Sequence, residues 1–370
     1  MKKLAVVTGL NSLLSISLIF LLFISSIAMG QVDNSSKLFE GWELRINGHV
    51  DSAKVVLDEI IEVDSTYAMA WYELSRIEHH MGLGNPRQIM QHLEKSRNYI
   101  DKAVLYDSSN QEYLYYKGLL LSLQVYADLM GGKENVEDQM NQIEENYHSL
   151  LKVNPEFYEA KLCLVDLYAL VPEENGGSLE KAEKYTAELE KEDLVCGAKA
   201  REIMMPKDAD YIAFWTKLID DNKDNAELLE AKGRVYLLKN DPENSRGYFE
   251  KAIELNENKN YLFLDMGRYY TMQVMQGSME MEPAVPLISA EYEKYIASEP
   301  VPCNSMKAWA KGQMAILKIR SDKEEEGKQL MEEAKTLDPY FSKAFGYPSA
   351  ILFIAPNAVY KKFNYLSRPF

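Results

Sequence analysis

The sequence predicts an all-α fold, an α-solenoid of about eight antiparallel helix–turn–helix units packed in series. Two observations predict it. The stretch from Asp224 to Lys259 has the pattern of two helices joined by a tight turn, and a unit of the same kind can be traced along nearly the whole chain after its N-terminal segment. Two helices of about 14 residues cannot bury both of their apolar faces alone, so such units must stack.

The central unit shows the signals of both helices. Asp224 is the predicted N-cap of the first, with Glu227 three residues later as the reciprocal acid of a capping box. Asp241 and Pro242 begin the second, as cap and first-turn proline. Gly233 lies inside the first helix, where glycine costs about 1 kcal/mol against alanine, so it predicts close approach by a neighbouring helix. Apolar stripes at helical spacing are formed by Leu228, Leu229, Val235, Tyr236, Leu238, Tyr248, Phe249, Ala252 and Ile253.

This unit resembles the tetratricopeptide repeat, a helix–turn–helix of about 34 residues. The residues that carry the resemblance are Leu229, Gly233, Tyr236, Ser245, Phe249 and Ala252. The family usually ends its second helix with a proline, and Glu257 stands in that place. The resemblance implies that the units coil into a right-handed superhelix. It also implies that the first helix of each unit lines a concave groove and presents side chains to a peptide.

Eight units can be followed along the chain, four or five of them closely and the fifth least. Phe263, Gly267 and Tyr270 of the seventh unit each lie 34 residues beyond their counterparts in the central one. The first three units begin near residues 34, 67 and 111, the fourth follows Pro155, and the last four begin near 193, 224, 260 and 305. The sequence therefore predicts a repeat solenoid over residues 31–341.

Several units carry extra residues, and a tail follows the last one. Enlarged turns are predicted from Met81 to Arg87 and from Val171 to Ser178, and a Met-rich insert from Met275 to Pro286. Residues 342–370 are predicted to be a C-terminal capping tail, because a terminal repeat needs its open apolar face covered and the run 350–354 is apolar. The alternative is that this run docks on another subunit.

Residues 1–30 are predicted to be a signal peptide. Lys2 and Lys3 form a basic start, an apolar run extends from Leu13 to Ile27, and Ala28 to Gly30 fits a small-x-small cleavage site. The alternative is an uncleaved membrane anchor, because the apolar region is long for a signal peptide. No cysteine follows the run, so a lipoprotein anchor is not supported. We expect an exported protein, periplasmic or secreted, with no transmembrane segment after cleavage.

The chain is acidic, with a formal net charge of −16. Residues 1–30 hold two lysines and no acid, so the cleaved chain would carry −16 − 2 = −18. Binding to nucleic acid usually needs a basic footprint, so nucleic acid is not an expected partner. The plain interpretation is a soluble, self-repelling surface, and the alternative is a dedicated cation-binding role.

A search for catalytic motifs finds none. The five histidines, at 49, 79, 80, 92 and 148, form no HExxH motif and no zinc-ligand pairing with a cysteine. His79 and His80 lie late in a predicted helix, where a cation interacts favourably with the helix dipole. No P-loop, nucleophile elbow or dinucleotide fingerprint occurs. We therefore predict no catalytic residue, no cofactor and no metal site, while a pair of glycosidase carboxylates stays open.

The three cysteines are predicted to be free thiols. Cys163 and Cys196 lie nearly one repeat apart, which places them on adjacent first helices. Packed helix axes lie about 8–10 Å apart, whereas the Cα atoms of a disulfide lie within about 7 Å. Cys303 is left over in either case, so we expect no bridge.

The candidate partner-binding residues are Tyr72, Arg76, Tyr115, Arg234 and Arg268. Arg234 and Arg268 are one 34-residue period apart and Arg76 takes the equivalent place in the second unit, so all three are expected on the concave groove. Tyr72 and Tyr115 lie one turn earlier in their helices. Arginine and tyrosine often anchor interfaces. The alternative is that each arginine pairs with a nearby acid, as Arg234 would with Glu230 one turn before it.

The predicted function is a non-catalytic scaffold or adaptor for protein–protein interaction in an exported compartment, which binds a partner peptide or protein in the groove. The first alternative is an accessory subunit of an envelope enzyme or a secretion complex. A second alternative is a solenoid-shaped hydrolase, which would need acids or histidines converging in one pocket. Neither the partner nor the oligomeric state follows from the sequence.

Overall fold

The fold is all-α, as predicted. The computed structural model describes residues 34–133 and 135–344, and in these ranges the chain forms sixteen α-helices and no β-strand. The helices are α1 (34–46), α2 (Val50–Val63), α3 (Ala68–Leu83), α4 (Ile89–Tyr106), α5 (Gln111–Met130), α6 (Glu137–Val153), α7 (Tyr158–Leu170), α8 (Leu179–Glu192), α9 (Leu194–Met204), α10 (Tyr211–Asp221), α11 (Ala226–Leu238), α12 (Pro242–Leu255), α13 (Leu262–Met275), α14 (Met281–Ile296), α15 (Asn304–Ile319) and α16 (Glu324–Leu337).

Odd-numbered helices are the first helices of the eight predicted units and even-numbered helices are the second. In the second, third, fourth, sixth, seventh and eighth units, the first helix packs extensively on the second. The fifth unit, the most divergent in sequence, departs from this pattern. Its α9 packs mainly on α8 and α7, and its α10 packs on α11. The chain is thus an all-α helical-repeat superhelix.

Close packing within a unit depends on glycine in the first helix. A Cβ atom added to Gly118, Gly233 or Gly267 would lie 2.2–2.5 Å from the nearest ring atom of an aromatic residue in the second helix. For Gly233 that residue is Phe249. The close approach predicted at Gly233 is therefore confirmed, and the group that approaches is an aromatic ring rather than another backbone.

The caps of the central unit agree with the sequence at one end and differ at the other. Asp241 caps α12 through Oδ1, which accepts from the backbone N–H of Asn244 at 3.1 Å, with Pro242 in the first turn. The cap of α11 is Asn225, whose side chain accepts from the N–H groups of Glu227 and Leu228. The prediction of Asp224 is wrong by one residue, because asparagine and aspartate cap almost equally well and the register decides between them.

The Met-rich insert is largely helical, which corrects its prediction as an interruption. Helix α13 ends at Met275 and α14 begins at Met281 with Pro286 inside it, so the connection is short. A proline in the second turn of a helix lacks only one N–H donor, and the apolar residues of α14 still pack on α13. Packing outweighs the local signal here.

The two ends of the solenoid contact each other. Ser305 Oγ at the start of α15 donates to the backbone oxygen of Ile46 in α1 at 3.3 Å. His80 Nε2 of α3 lies 2.7 Å from Asp338 Oδ2, just after α16, and both side chains are buried. Tyr340 OH donates to Asp51 Oδ1 at 2.9 Å. The first two repeats and the last repeat therefore form one continuous packed structure.

The hydrophobic core also joins the two ends of the solenoid. The largest cluster of buried apolar side chains contains Trp42 of α1 together with Trp309 of α15 and Phe341. Phe341 lies in a short 3₁₀ helix, Phe341–Lys343, that follows α16. Two further clusters fill α2 to α5 and α5 to α9.

Some predictions fall on residues outside the described ranges. The signal peptide over 1–30 lies there, and so does the capping tail from residue 345 onward. Of the predicted tail, Ser342, Lys343 and Ala344 are described: Ser342 and Ala344 are completely buried, and Lys343 is exposed. None of the described helices is long and apolar enough to cross a membrane.

Candidate partner-binding surface

Arg234 and Arg268 lie on neighbouring first helices, as their spacing predicts, and a buried carboxylate joins them. Arg234 Nη2 of α11 lies 2.8 Å from Asp265 Oδ2, and Arg268 Nη1 of α13 lies 3.4 Å from Asp265 Oδ1. The Asp265 side chain is 4 % exposed, whereas those of the two arginines are 44 % and 43 % exposed. One acid inside the structure thus positions two guanidinium groups at its surface.

A second carboxylate extends this arrangement. Glu230 Oε1 accepts from Arg234 at Nε, 3.1 Å, and at Nη2, 2.9 Å. Its other oxygen accepts from Lys259 Nζ at 2.5 Å and from Tyr261 OH at 2.7 Å. We call Glu230, Arg234, Asp265 and Arg268 the arginine ladder. The alternative raised from the sequence, a pairing of Arg234 with Glu230, is confirmed.

The two acids of the ladder differ in their protonation behaviour. Burial favours the neutral form of Glu230, but Arg234 and Lys259 outweigh it and hold the pKa of Glu230 at about 2. Burial dominates for Asp265 and raises its pKa, although Arg234 and Arg268 act in the opposite direction. Glu230 is therefore the firmer anion of the two and the main counter-charge of Arg234.

The predicted exposure of Tyr72 and Arg76 is wrong. Arg76 is 2 % exposed and pairs with Glu73 at 3.3 Å, while Glu73 also accepts from Arg45 Nε at 2.9 Å. Tyr72 is 9 % exposed, and its ring centroid lies 5.0 Å from that of Tyr113. Helix α3 is buried on nearly every side, because α2, α4 and the 3₁₀ helix of the last repeat all pack on it. Repeat spacing placed these residues correctly on a first helix but could not show that side chains of α1, α3 and α5 enclose them.

Tyr115 lies in the interface between the third and fourth units. Its ring is 4.9 Å from that of Phe157, centroid to centroid, and its hydroxyl lies 4.0 Å from Cys163 Sγ. Burial raises the pKa of Tyr115 well above its usual value, so the hydroxyl stays neutral. Of the five predicted residues, Arg234 and Arg268 are brought together at the surface, while Arg76 lies over the ring of Tyr72, 5.4 Å from its centroid, in the interior. A binding role for any of the five stays a prediction.

His79 and His80 are buried and bind other helices, rather than acting on a helix dipole as expected: His79 contacts the next unit and His80 the last repeat. His79 Nδ1 lies 3.0 Å from Tyr116 OH, and burial lowers the pKa of His79 to about 3, which keeps it neutral near pH 7. His80 bonds to Asp338, 258 residues away, and stacks on Phe341 at 3.8 Å. Nothing in the local sequence could reveal partners so distant.

The thiols agree with the sequence. Cys163, Cys196 and Cys303 are all free, and burial raises the pKa of each. Within residues 34–133 and 135–344, no three His, Cys, Asp or Glu side chains are grouped so that they could hold a metal ion. The chemistry that the ladder offers is ion pairing and hydrogen bonding.

Comparisons with known proteins agree with the repeat pattern. The sequence profile of the tetratricopeptide repeat matches residues 226–259, which contain α11, α12 and half of the ladder. No curated protein sequence matches the chain significantly.

Solved structures of similar fold are tetratricopeptide repeat proteins. One is a tetratricopeptide repeat protein from Parabacteroides merdae, 13 % identical, with 90 % of this chain and 98 % of that chain covered and a TM-score of 0.32. Another is YrrB, described as having an unusual peptide-binding site, 14 % identical, with 64 % and 92 % covered and a TM-score of 0.29. The profile match covers one repeat of this chain, residues 226–259.

Proposed function

We propose, from the premise that this chain is a tetratricopeptide repeat protein, that it is a non-catalytic scaffold which binds a partner protein or peptide in an exported compartment. Proteins built from this repeat serve in general for protein–protein interaction. We propose further that the partner binds the first-helix surface, which the outward sides of the odd-numbered helices form, and that its principal contact is the arginine ladder.

The observation that carries this proposal is the joint fixing of Arg234 and Arg268 by Asp265. Ordering a long side chain at an interface costs about 0.5–1.5 kcal/mol, and here the protein's own carboxylates have already ordered two of them. Each guanidinium remains more than two-fifths exposed. The ladder is therefore a preorganised pair of donors that spans two repeats.

The charge of the ladder indicates the class of ligand. The two arginines and two acids of the ladder sum to 2 − 2 = 0 on a chain of −16. The neighbouring pair of Lys259 and Glu227, in contact at 2.7 Å, adds no net charge. A neutral patch on an acidic surface suits an extended peptide that combines backbone carbonyls with one or two carboxylates. A guanidinium binds a carboxylate in a planar, two-pronged geometry that an ammonium cannot reproduce.

The first experiment is affinity capture with immobilised residues 31–370 from an envelope extract of the producing cells, with captured proteins identified by mass spectrometry. We expect one dominant partner whose binding weakens as salt rises, because exposed charges are screened. A profile indistinguishable from that of a blank resin would remove the basis of the scaffold proposal.

Substitution of Arg234 and Arg268 by lysine then tests the ladder. Lysine preserves the charge that Asp265 needs but loses the two-pronged geometry, so we expect capture to fall about tenfold or more with the melting temperature nearly unchanged. Charge reversal is less suitable, because it would leave the buried Asp265 beside two further acids. Arg246→Lys is the matched control, since Arg246 pairs with the buried Glu291 from a second helix. Equal capture by the double variant and this control would place the contact elsewhere.

Export is tested by the intact mass of the protein purified from its native compartment. The Ala28-x-Gly30 spacing after an apolar run predicts that the mature chain begins at Gln31. A protein that retains residues 1–30 would instead favour the membrane-anchor alternative.

A further inference from the structure

The chain leaves the last repeat on the side of the first helices. After α16, Asp338 Oδ1 accepts from the backbone N–H groups of Tyr340, 2.9 Å, and Phe341, 3.0 Å. This turn directs the 3₁₀ helix between α15 and α3, where Phe341 stacks on His80. Both flanking helices are first helices, so the chain does not continue outward as another repeat would.

Ala344, the last described residue, marks where the following segment begins. It is completely buried, and its carbonyl oxygen accepts from Gln313 Nε2 of α15 at 3.0 Å. The carbonyl of Ser342 fills the space beside Gly312, where a Cβ would lie 2.1 Å from that oxygen. The described part of the chain therefore ends in contact with α15, a first helix.

The segment 345–370 has a composition unlike the rest of the chain. It contains three basic residues, no acid and seven aromatic residues, namely Lys361, Lys362, Arg368, Phe345, Tyr347, Phe353, Tyr360, Phe363, Tyr365 and Phe370. The remaining residues, 1–344, carry −16 − 3 = −19. A basic, aromatic segment attached to a strongly acidic body is attracted to it, and attachment keeps its effective concentration near the millimolar range.

The first-helix surface offers complementary groups. Arg234 is the ninth residue after the N-cap of α11. The ninth residue after the N-cap is an acid in two other first helices, Asp166 in α7 and Glu202 in α9. Glu159 of α7 corresponds in the same way to Glu227 of α11. Asp166, Glu202 and Glu159 are all partly buried, and among the described residues none of the three forms an ion pair. Lys199 of α9 acts on Glu159 and Glu202 through its charge, but its ion pair is with Glu227 at 3.9 Å, so a further cation beside the three acids would be favourable.

The first-helix surface also has groups on which the aromatic residues of segment 345–370 can stack. The side chains of Arg234 and Arg268 are 44 % and 43 % exposed, so an aromatic ring can stack on either guanidinium group in a cation–π contact. Twenty-six residues reach about 85 Å when extended, whereas packed helices lie about 8–10 Å apart. The segment is long enough to pass from α15 to α7.

We propose that residues 345–370 bind back onto the first-helix surface as an intramolecular ligand, with their basic residues on Glu159, Asp166 and Glu202 and their aromatic rings on the arginine ladder. A partner peptide would have to displace them, so the segment would set the threshold for partner binding. That consequence rests on the proposed function, whereas the intramolecular contact does not.

Carboxyl footprinting of the full chain tests the contact without any partner. In the variant Lys361→Glu, Lys362→Glu, Arg368→Glu, we expect labelling of Glu159, Asp166 and Glu202 by carbodiimide and glycine ethyl ester to rise about tenfold, as for release of a mostly bound segment. The matched control sites are Glu183 and Glu190 of the second helix α8, whose labelling should not change. Unchanged labelling at the three acids, with an unaltered circular dichroism spectrum, would overturn the proposal.

If the variant fails to fold, zero-length crosslinking of the unaltered chain tests the same intramolecular contact. Carbodiimide should join Lys361 or Lys362 to Glu159, Asp166 or Glu202, with a yield independent of protein concentration. Crosslinks that reach only second helices, or whose yield rises with concentration, would overturn the proposal. Because neither readout involves a partner, both can succeed while the capture experiment fails, and the reverse also holds.

Discussion

At the scale of single residues, several first helices bury charged side chains that pair with one another. Three acids of first helices hold arginines in place. Glu73 pairs with Arg45 and Arg76, and both Glu230 and Asp265 pair with Arg234. A buried ion pair is expensive to break, because removing one partner leaves the other charge desolvated. These pairs therefore fix the orientation of their helices as well as their own side chains.

Glu230→Gln should destabilise the protein in a pH-dependent way. The pKa of Glu230 is about 2 in the folded protein, against a usual value of 4.5, so ionised Glu230 stabilises the fold. This contribution is complete above pH 4.5 and is lost as the pH falls toward 2, because the unfolded chain takes up the proton first. We expect a loss on the order of 2 kcal/mol at pH 7 that shrinks at acid pH.

Urea unfolding of the native protein and of Glu230→Gln between pH 3 and 7 measures this difference. The control is Glu250→Gln, an exposed glutamate on α12, whose effect should be small at every pH. A difference for Glu230→Gln that does not change with pH would mean that the ladder does not depend on its charge.

At the scale of elements, three units are closed by one glycine against one aromatic ring. The contacts of Gly118, Gly233 and Gly267 with rings of the second helices repeat the same solution in three units. Conformational freedom is not the reason for these glycines, because all three lie inside helices where glycine is unfavourable. The reason is the distance between the helices.

Gly233→Leu should cost about 1–3 kcal/mol, since its Cβ would lie 2.4 Å from the Phe249 ring and the helices would have to separate. Gly247→Ala is the matched control. Gly247 is also helical, but nothing lies within 4 Å of its added Cβ, so alanine there should stabilise the protein by about 0.5–1 kcal/mol. Thermal unfolding should show a lower melting temperature for Gly233→Leu and a higher one for Gly247→Ala. An unchanged melting temperature for Gly233→Leu would show that the repeat register assigned to Gly233 is wrong.

At the scale of the whole molecule, contact between the ends changes how the solenoid unfolds. An open repeat array can fray from either end, because each repeat contacts only its neighbours. Here the pair His80–Asp338 joins residues near opposite ends, and burial of Asp338 is outweighed by His80 and backbone donors, which lower its pKa. We therefore expect the first and last repeats to exchange their amide hydrogens together.

Gly48→Ala tests this coupling. Gly48 has φ +82°, and its added Cβ would lie 1.8 Å from the carbonyl oxygen of Leu337, so alanine would both strain the turn and push the ends apart. Gly277→Ala is the control, because φ is +73° there but nothing lies within 4 Å. Each positive φ costs alanine about 1–2 kcal/mol, so a larger loss for Gly48→Ala isolates the end contact.

Hydrogen exchange completes the test. In Gly48→Ala, exchange should become faster in α15 and α16 as well as in α1 and α2, whereas in Gly277→Ala it should change only around the turn between α13 and α14. Faster exchange confined to α1 and α2 in Gly48→Ala would mean that the two ends are not energetically coupled.

The sequence by itself determined the all-α class, the eight units and the alignment of Arg234 with Arg268, because helical periodicity and repeat spacing are local and regular. It also determined the free thiols, since helix spacing forbids a bridge between adjacent first helices. The predicted N-cap of α11, Asp224, was wrong by one residue, because the observed cap, Asn225, is of a type that caps equally well.

Only the tertiary structure decided which first-helix residues stay accessible. Tyr72, Arg76 and Arg234 occupy related places in their repeats, yet the first two are buried and the third is half exposed. The difference comes from what packs around α3. The rings of Tyr113 and Tyr116 in α5 cover Tyr72, and Arg76 pairs with Glu73, which also binds Arg45 of α1. The same helix contacts the end of the last repeat through His80–Asp338, a pair 258 positions apart. Repeat spacing describes neighbours along the chain, and a contact between its two ends has no local signal, so burial there depends on the superhelix as a whole.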